Sequence, residues 1–437
     1  MQNQSQNPLP SLQPLSILIL GGGISGLTTA LSLTKFTPPT HPPPSIKIFE
    51  IRPFPATIGG AVNLTPNALR LLSYLGALHE IERLGYGAPC EAIEVFDLYT
   101  GGKIAESSFK GKEGRGLGDP PFRALRIGRG EALKGVLAAI DKYPNIEIEC
   151  GKRTVGIVED GEGVKLTFQD GDTATGDILV GCDGIHSVTR LLHVEPERKG
   201  VYSGICNAFG FAPHIGKFQP VHFTTSAMNF SRRGMLLTSF HSPEKDSIYV
   251  GGLMEVPEIA DRDGWKAAGK DEEKIRAEML ERFGKDAALD LIPQLIHDAK
   301  ELFLWPVFTL PKSGKWYTSR VILIGDSAHA MPPQGESTGI VFEDGVLFSR
   351  CIARWMEKGG EKGGMPVREA FEAYEKLRRG RIDAAFEESQ SVVKTVRDAG
   401  WLGHIVKMRI VPWYLWWTRA EREGHFVEDV TRKELNY

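Results

Sequence analysis

Apolar and polar residues along this chain follow two periods, and the switches between them outline its elements. Ser16–Leu20 (SILIL) is a short apolar strand, and after three consecutive glycines the run from Ile24 opens an apolar helix. Ser45–Glu50 (SIKIFE) is a second strand. The proline-rich loop Thr37–Ser45 separates it from the helix, because proline continues neither a helix nor a central strand. Leu69, Leu72 and Leu75 recur at helical spacing within Thr65–Gly76, a core stripe, and Glu91–Tyr99 alternates as a strand does. Lys110–Pro121 reads as a mobile surface loop, and Leu125–Ile140 as a helix with Arg129 at its entrance. Ile146–Val180 holds at least three short strands joined by Asp-Gly turns, a β-meander.

Beyond that point the pattern changes. From Val201 to Leu310 it is strand-like, with runs at Val221–Thr225, Gly234–Phe240 and Ser247–Met254 and one charged helix at Asp271–Phe283. Arg320–Ile324 returns as a buried strand, and Gly339–Trp355 and Val367–Ser391 are helical. The C-terminal region alternates aromatic and basic residues and reads as a packed terminal helix, broken at Pro412. The fold class is α/β: a Rossmann-like nucleotide-binding domain with an inserted meander, a mixed-sheet α+β substrate domain and a helical C-terminus. The divisions are a disordered leader at 1–15, nucleotide-binding segments at 16–200 and 311–391, a substrate domain at 201–310 and a helical end at 392–437.

Composition narrows this picture. With 437 residues, 41% of them hydrophobic, the chain can bury more than one core. A net charge of −3 provides no basic footprint for nucleic acid. Five scattered cysteines exclude a disulfide framework and a C-x-x-C zinc site, so no metal is expected. With no long uncharged apolar run, the expectation is a soluble cytoplasmic protein; contact between the aromatic C-terminus and a membrane surface is the less favoured alternative.

The chemistry begins in SILILGGGISGLTTA. Gly21, Gly23 and Gly26 have G-x-G-x-x-G spacing between a strand and a helix. The first glycine allows the turn, the second lets backbone approach a pyrophosphate, and the third lets helix and strand pack closely. Glu50, ending the next strand, can accept hydrogen bonds from a ribose. Two further stretches stand out, Asp177–Arg190 (DILVGCDGIHSVTR) and Arg320–Pro333 (RVILIGDSAHAMPP). In the second, a buried strand delivers Asp326 to the strand end where ligands gather in doubly wound sheets.

Together these residues resemble the class A, FAD-dependent aromatic monooxygenases, in particular the salicylate-hydroxylase-like branch of fungal type. The resemblance rests on Gly21/Gly23/Gly26 with Glu50, on Asp183–Gly184 with His186, Ser187 and Arg190, and on Gly325–Asp326 with His329 and Pro332–Pro333. It implies FAD as cofactor and NAD(P)H as co-substrate. By resemblance Gly21, Gly23, Gly26 and Glu50 hold the adenosine half of FAD, Arg129 approaches its phosphates, and Asp326 holds ribityl or pyrophosphate-side hydroxyls. Gly60 and Ala61 pass near the isoalloxazine, and Gly335 to Gly339 lie against it. Asp183 has two readings, a cap for the segment containing Ser187 or a docking residue for FAD and NAD(P)H.

The implied reaction inserts one atom of O2 into an aromatic or polycyclic small molecule through a flavin C4a-hydroperoxide, in secondary metabolism. The alternatives are an isoprenoid epoxidase, or a same-fold reductase or oxidase without oxygen insertion. The flavin carries the chemistry, so no catalytic acid or base is named. The absence of a second G-x-G-x-x-G unit argues against Baeyer–Villiger enzymes, and the lack of a G-x-S-x-G elbow against a serine triad. The chain departs from the pattern at Gln334–Gly339 (QGESTG), and in the strand Tyr202–Gly210, which carries no arginine. That second departure favours a neutral, larger substrate, with Tyr202, Asn207 and His222 as polar candidates near it.

Overall fold

The computed structural model describes residues 13–435 apart from 58, 215–220, 334 and 336. Its centre is a five-stranded parallel sheet in the order Val321–Leu323, Ile178–Gly181, Ser16–Leu20, Ser45–Glu50, Ile146–Cys150. The strands SILIL, ILVG and VIL are buried on both faces, which is why they lack alternation. Helices Ile24–Phe36 and Ser337–Glu357 pack on this sheet and on each other. The antiparallel meander Thr154–Glu159, Val164–Phe168, Thr173–Gly176 sets Phe168 against Phe49, ring centroids 4.7 Å apart.

A second, seven-stranded sheet runs Lys300–Thr309, Val201–Pro213, Ser247–Glu255, Gly234–Phe240, Ser226–Ser231, Ala92–Asp97, Lys103–Ser108. The last two strands form a hairpin within the 16–200 segment, and Ala92–Asp97 pairs parallel to Ser226–Ser231. The chain therefore lends a hairpin of its first part to the large sheet. Val221–Thr225 forms no strand, and the strand lies just beyond it. Helices Arg262–Ala268, Glu272–Met279 and Leu291–Asp298 cover one face of this sheet through Trp265, Ile275, Met279 and Leu295.

A small antiparallel sheet, Ala61–Leu64, Ala124–Gly128, Ala88–Cys90, lies between the two. It corrects the reading of Leu125–Ile140 as one helix. Leu125–Gly128 completes a strand, and the helix starts at Arg129, where the Glu131 carboxylate accepts the Gly128 N–H at 3.1 Å. The Lys110–Pro121 loop is anchored rather than free: Leu117 pairs with Phe122, and its carbonyl accepts from Arg70 at 3.1 Å.

The terminal helix also differs from expectation. Trp401–Trp417 continues through Pro412 and buries His404, Met408 and Val411, with Leu415 partly buried beside them. Most of its other large side chains are exposed, Leu402 by 81% and Trp416 by 69%. Among the described residues no helix is long and apolar enough to cross a membrane.

Candidate active site

Four of the sequence motifs meet at the C-terminal edge of the parallel sheet, in the spatial order Asp326, Asp183, Gly21–Gly26, Glu50. Gly21 has φ +109°, and a Cβ there would lie 2.4 Å from the Cys182 carbonyl oxygen, so this turn admits only glycine. At Gly26 a Cβ would fall 2.0 Å from the Gly21 carbonyl, which is how closely the helix packs on the turn. A Cβ at Gly23, the helix N-cap, would meet nothing within 4 Å, leaving the helix N-terminus open to an anion.

Glu50 is buried, and backbone aims its carboxylate: Oε2 accepts the Gly22 N–H at 2.8 Å and Oε1 the Arg52 N–H at 2.9 Å. Each oxygen keeps a lone pair for a ribose hydroxyl. Asp326 is exposed while its neighbours Gly325 and Ser327 are buried, so its carboxylate opens toward this edge. Two buried arginines hold the short turn behind it. Arg190 Nη1 donates to the Ser327 carbonyl at 2.8 Å, and Arg198 Nη1 to the Ala328 carbonyl at 2.9 Å.

Of the two readings of Asp183, the geometry displays the cap. Oδ2 accepts the N–H and hydroxyl of Thr189 at 2.9 and 3.0 Å, while Oδ1 is buried without a partner. Burial pushes this carboxyl above its ordinary range, against the bonds from Ser187 and Thr189. His186 is exposed and lies edge-on to Phe308.

Toward the large sheet, Gly60 and Ala61 lead into the small sheet, where Ala61 pairs with Gly128 and Arg129 N–H bonds the Gly60 carbonyl at 3.0 Å. The Arg129 side chain passes over Gly59 and has no hydrogen-bond partner among the described residues, which leaves its charge for a phosphate. At Gly60 the neighbour is Tyr249, whose ring would lie 1.9 Å from an added Cβ. Tyr249 also leans over Gly251, whose Cβ would meet its hydroxyl at 2.3 Å. The Asn207 amide donates to that hydroxyl at 3.4 Å, and burial raises the phenol's pKa.

Asn207 thus lies on the face turned toward the nucleotide domain. Tyr202 and His222 do not. Tyr202 packs on Trp265 and Phe308 and donates to the Val256 carbonyl at 2.9 Å. His222 bonds Asn229 at 2.9 Å and lies edge-on to Phe96. Both belong to the opposite, helix-covered side: Tyr202 packs against that side's apolar cluster, and Phe96, on which His222 lies, is a member of it.

Gly335 has φ +90° with open space around it. Glu336, which with Ser337 makes the departure from the family pattern, lies outside the described residues, as does Gln334. Gly339, in the first turn of Ser337–Glu357, abuts Thr65 and Asn67, where a Cβ would approach Thr65 Oγ1 to 3.0 Å. Those two residues open a buried chain. Thr65 donates to Asn67, Asn67 to Glu343 at 2.7 Å, and Arg378 to Glu343 at 2.8 Å and to Asp344 at 2.5 Å. His329 Nε2 stands 2.9 Å from Asp344 Oδ2 without hydrogen-bond alignment. His329 is therefore a member of a structural ion network.

The sequence reading missed Asn63, Arg126 and Tyr249. Asn63 is buried with both amide atoms unpartnered, and Ser25 Oγ beside the glycine turn is likewise buried and unpartnered. The signal for Arg126 was an arginine on the inward side of a short apolar strand, hidden by reading that stretch as helix. The open helix N-terminus, the oriented Glu50, the unpaired Arg129 and these orphan polar atoms fit a flavin dinucleotide. They leave an acceptor at one end, a cation beside the phosphates and uncommitted polar groups toward the ring.

The family model described as FAD binding domain matches residues 15–340. Salicylate hydroxylase of Pseudomonas putida is 28% identical over 384 residues, covering 84% of this chain and 81% of its own. The 6-methylsalicylate 1-monooxygenase of Aspergillus terreus is 26% identical over 398 residues, covering 88% and 82%. Among solved structures, Klebsiella pneumoniae HpxO complexed with FAD and uric acid superposes with a TM-score of 0.72 at 19% identity, covering 95% of this chain and 96% of that one. A salicylate hydroxylase substrate complex gives 0.71 at 20% identity, covering 97% and 99%. With the family model spanning most of the chain and the strand-end cradle in place, the chain belongs to the FAD-binding-domain family, among the class A FAD-dependent aromatic monooxygenases of salicylate-hydroxylase type.

Proposed function

We propose that this chain uses NAD(P)H and O2 to insert one oxygen atom into an aromatic small molecule, acting in secondary metabolism. The observation that carries the reading is spatial. The nucleotide cradle at the parallel sheet continues through Gly60 and Arg129 to the Tyr249–Asn207 face of the large sheet, so one elongated cofactor spans from binding to chemistry. The similarity to enzymes named for salicylate and 6-methylsalicylate supports an aromatic substrate.

When bound, FAD supplies the electron storage and oxygen activation. The chain's residues bind and enclose. Glu50 takes the ribose hydroxyls, Asp326 a hydroxyl nearer the middle of the cofactor, and Arg129 a phosphate. The helix beginning at Ser337 turns its N-terminal amides toward the charge that develops on the ring edge. Phe209, Leu237 and Leu253 of the large sheet, on the same face as Asn207 and Tyr249, form an apolar wall that excludes water. Segments 16–200 and 311–391 serve the cofactor, and 201–310, joined by the Ala92–Ser108 hairpin, serves the substrate.

The test is isotopic. Purified protein carrying a flavin spectrum, given NADPH and a panel of aromatic acids under 18O2, should place one labelled atom in product. NADPH oxidation without label in any product would overturn the monooxygenase reading in favour of a reductase or oxidase.

A further inference from the structure

The middle strand of the small sheet buries a guanidinium that no carboxylate among the described residues neutralises. Arg126 is 5% exposed. Its Nε donates to Ser239 Oγ at 2.9 Å, and the group lies over the Tyr249 ring, 5.2 Å from the centroid. Nη2 is shielded from solvent and has no partner. Every other buried arginine among the described residues donates to carbonyls or carboxylates: Arg70, Arg190 and Arg198 to backbone oxygens, Arg320 to two carbonyls and near Glu361, Arg378 to Glu343 and Asp344. Arg126 alone has a single hydroxyl.

Its surroundings are unspent as well. Asn63 stands directly opposite Arg126 in the antiparallel ladder, so the two side chains share a face, and both amide atoms of Asn63 are buried without partners. His241, just past the end of the Gly234–Phe240 strand, has neither ring nitrogen bonded. Burial first, and then the positive charge of Arg126, lower its pKa, so it is neutral near pH 7. No carboxylate is among the groups that bear on Arg126 electrostatically; burial lowers its pKa, and only Tyr249 and Cys90 oppose that. A buried cation without a counter-ion is costly, and buried polar groups almost always find partners. Here Arg126 and two side chains around it lack them together.

We propose that Arg126 is the group that recognises the substrate, holding the carboxylate of an aromatic acid through its free terminal nitrogens, with Asn63 and neutral His241 bonding the substrate's other polar atoms. The inference rests on the monooxygenase reading of this site and names its substrate class. It also revises the expectation of a neutral substrate. The strand Tyr202–Gly210 carries no arginine, but the guanidinium arrives from the small sheet instead. The planar fork suits a carboxylate, which no ammonium or amide would replace geometrically.

The experiment is a binding comparison on the FAD-loaded protein by calorimetry, independent of turnover. The probes are salicylate and 6-methylsalicylate, each against its own primary amide, with catechol as a phenol lacking the carboxylate. In the wild type at least one acid should bind about tenfold or more tightly than its amide, as a charge-assisted bond in a dry site provides. In Arg126→Gln the ratio should fall to about twofold or less with amide binding and FAD content unchanged, and Arg126→Lys should recover part of it. Ser239→Ala, which only frees the guanidinium to swing, should give an intermediate ratio and serves if Arg126→Gln does not fold. No acid preference in the wild type, tightest binding by catechol, or a preference that survives Arg126→Gln each overturns the proposal. A wild type that holds no FAD or incorporates no label overturns the monooxygenase reading instead, so the two failures are separable.

Discussion

Tyr249 occupies its position because glycine stands at both 60 and 251. The sequence shows Gly60 as a small residue of the family pattern, and within the protein its nearest neighbour is this ring. Gly60→Ala places a methyl 1.9 Å from the Tyr249 ring, so the tyrosine must move, with an overpacking cost of about 1–3 kcal/mol. We expect a lower Tm and a changed flavin absorbance envelope, and restoration of both by adding Tyr249→Ala; an unchanged Tm in the single variant would mean the contact is slack. At the other end of the cradle, Glu50→Ala and Asp326→Ala should each weaken FAD binding by about tenfold, the loss of one or two charge-assisted hydrogen bonds. Equilibrium dialysis measures this, and full FAD retention in both would remove them from the site. Gly21, Gly26 and Glu50 were legible because each constraint is local: a turn, a close crossing, a strand end. Tyr249 and Arg126 were not, since their roles come from partners more than a hundred residues away.

At the level of elements, the Ser337–Glu357 helix is tied to its surroundings by ions rather than by apolar packing alone. Glu343 and Asp344, adjacent on it, are both buried and both bonded to Arg378 of the Arg368–Val396 helix. Glu343 also reaches Asn67 and thereby Thr65, next to Gly339. Burial alone would raise the Asp344 pKa, but Arg378 and His329 outweigh it and hold the carboxyl below its ordinary value. A carboxylate with a depressed folded-state pKa stabilises fully above its unfolded value, and that stability drains away as pH falls through the folded value. Asp344→Asn should therefore lower Tm near neutral pH, a loss of about 3–5 kcal/mol if Arg378 is left half-paired. The gap to wild type should begin to close as the pH falls below the unfolded carboxyl's value of about 4, and go on closing as the pH falls through the lower folded value. Thermal melts across that range decide it, and a gap that stays constant with pH would exclude the charge as its source. Sequence periodicity marked both helices. It could not show that their charges face inward, because a charge on a helix is normally solvated and only the neighbouring helix makes burial tolerable.

Across the whole molecule, the Trp401–Trp417 helix is the least finished surface. His404, Met408 and Val411 bury one stripe, while Leu402, Ile405, Val406, Ile410, Trp413, Trp416 and Trp417 stay exposed. Trp413 and Trp417 stack on each other at 5.7 Å. An apolar patch of this extent binds hydrophobic probes and promotes association. Wild-type protein should enhance ANS fluorescence, and Leu402→Ser/Trp416→Ser/Trp417→Ser should reduce that signal several-fold with Tm unchanged. An undiminished signal would locate the probe elsewhere.

At this scale the chain also interleaves. The hairpin Ala92–Ser108 crosses to the large sheet, and the small sheet between the two larger ones assembles from residues 61–64, 88–90 and 124–128. The sequence by itself determined the parallel sheet, the glycine turn with its acidic strand end and the family, because apolar period, turn chemistry and motif spacing are properties of short stretches. Only tertiary structure decided which polar residues share a face. It set Asn207 on the face turned toward the nucleotide domain and Tyr202 and His222 on the other, and it laid Arg126, without a carboxylate partner among the described residues, over the Tyr249 ring. Facing is set by strand register and by the packing of one sheet on another, and desolvation, which gives a buried charge its demand for a partner, exists only once those surfaces have closed.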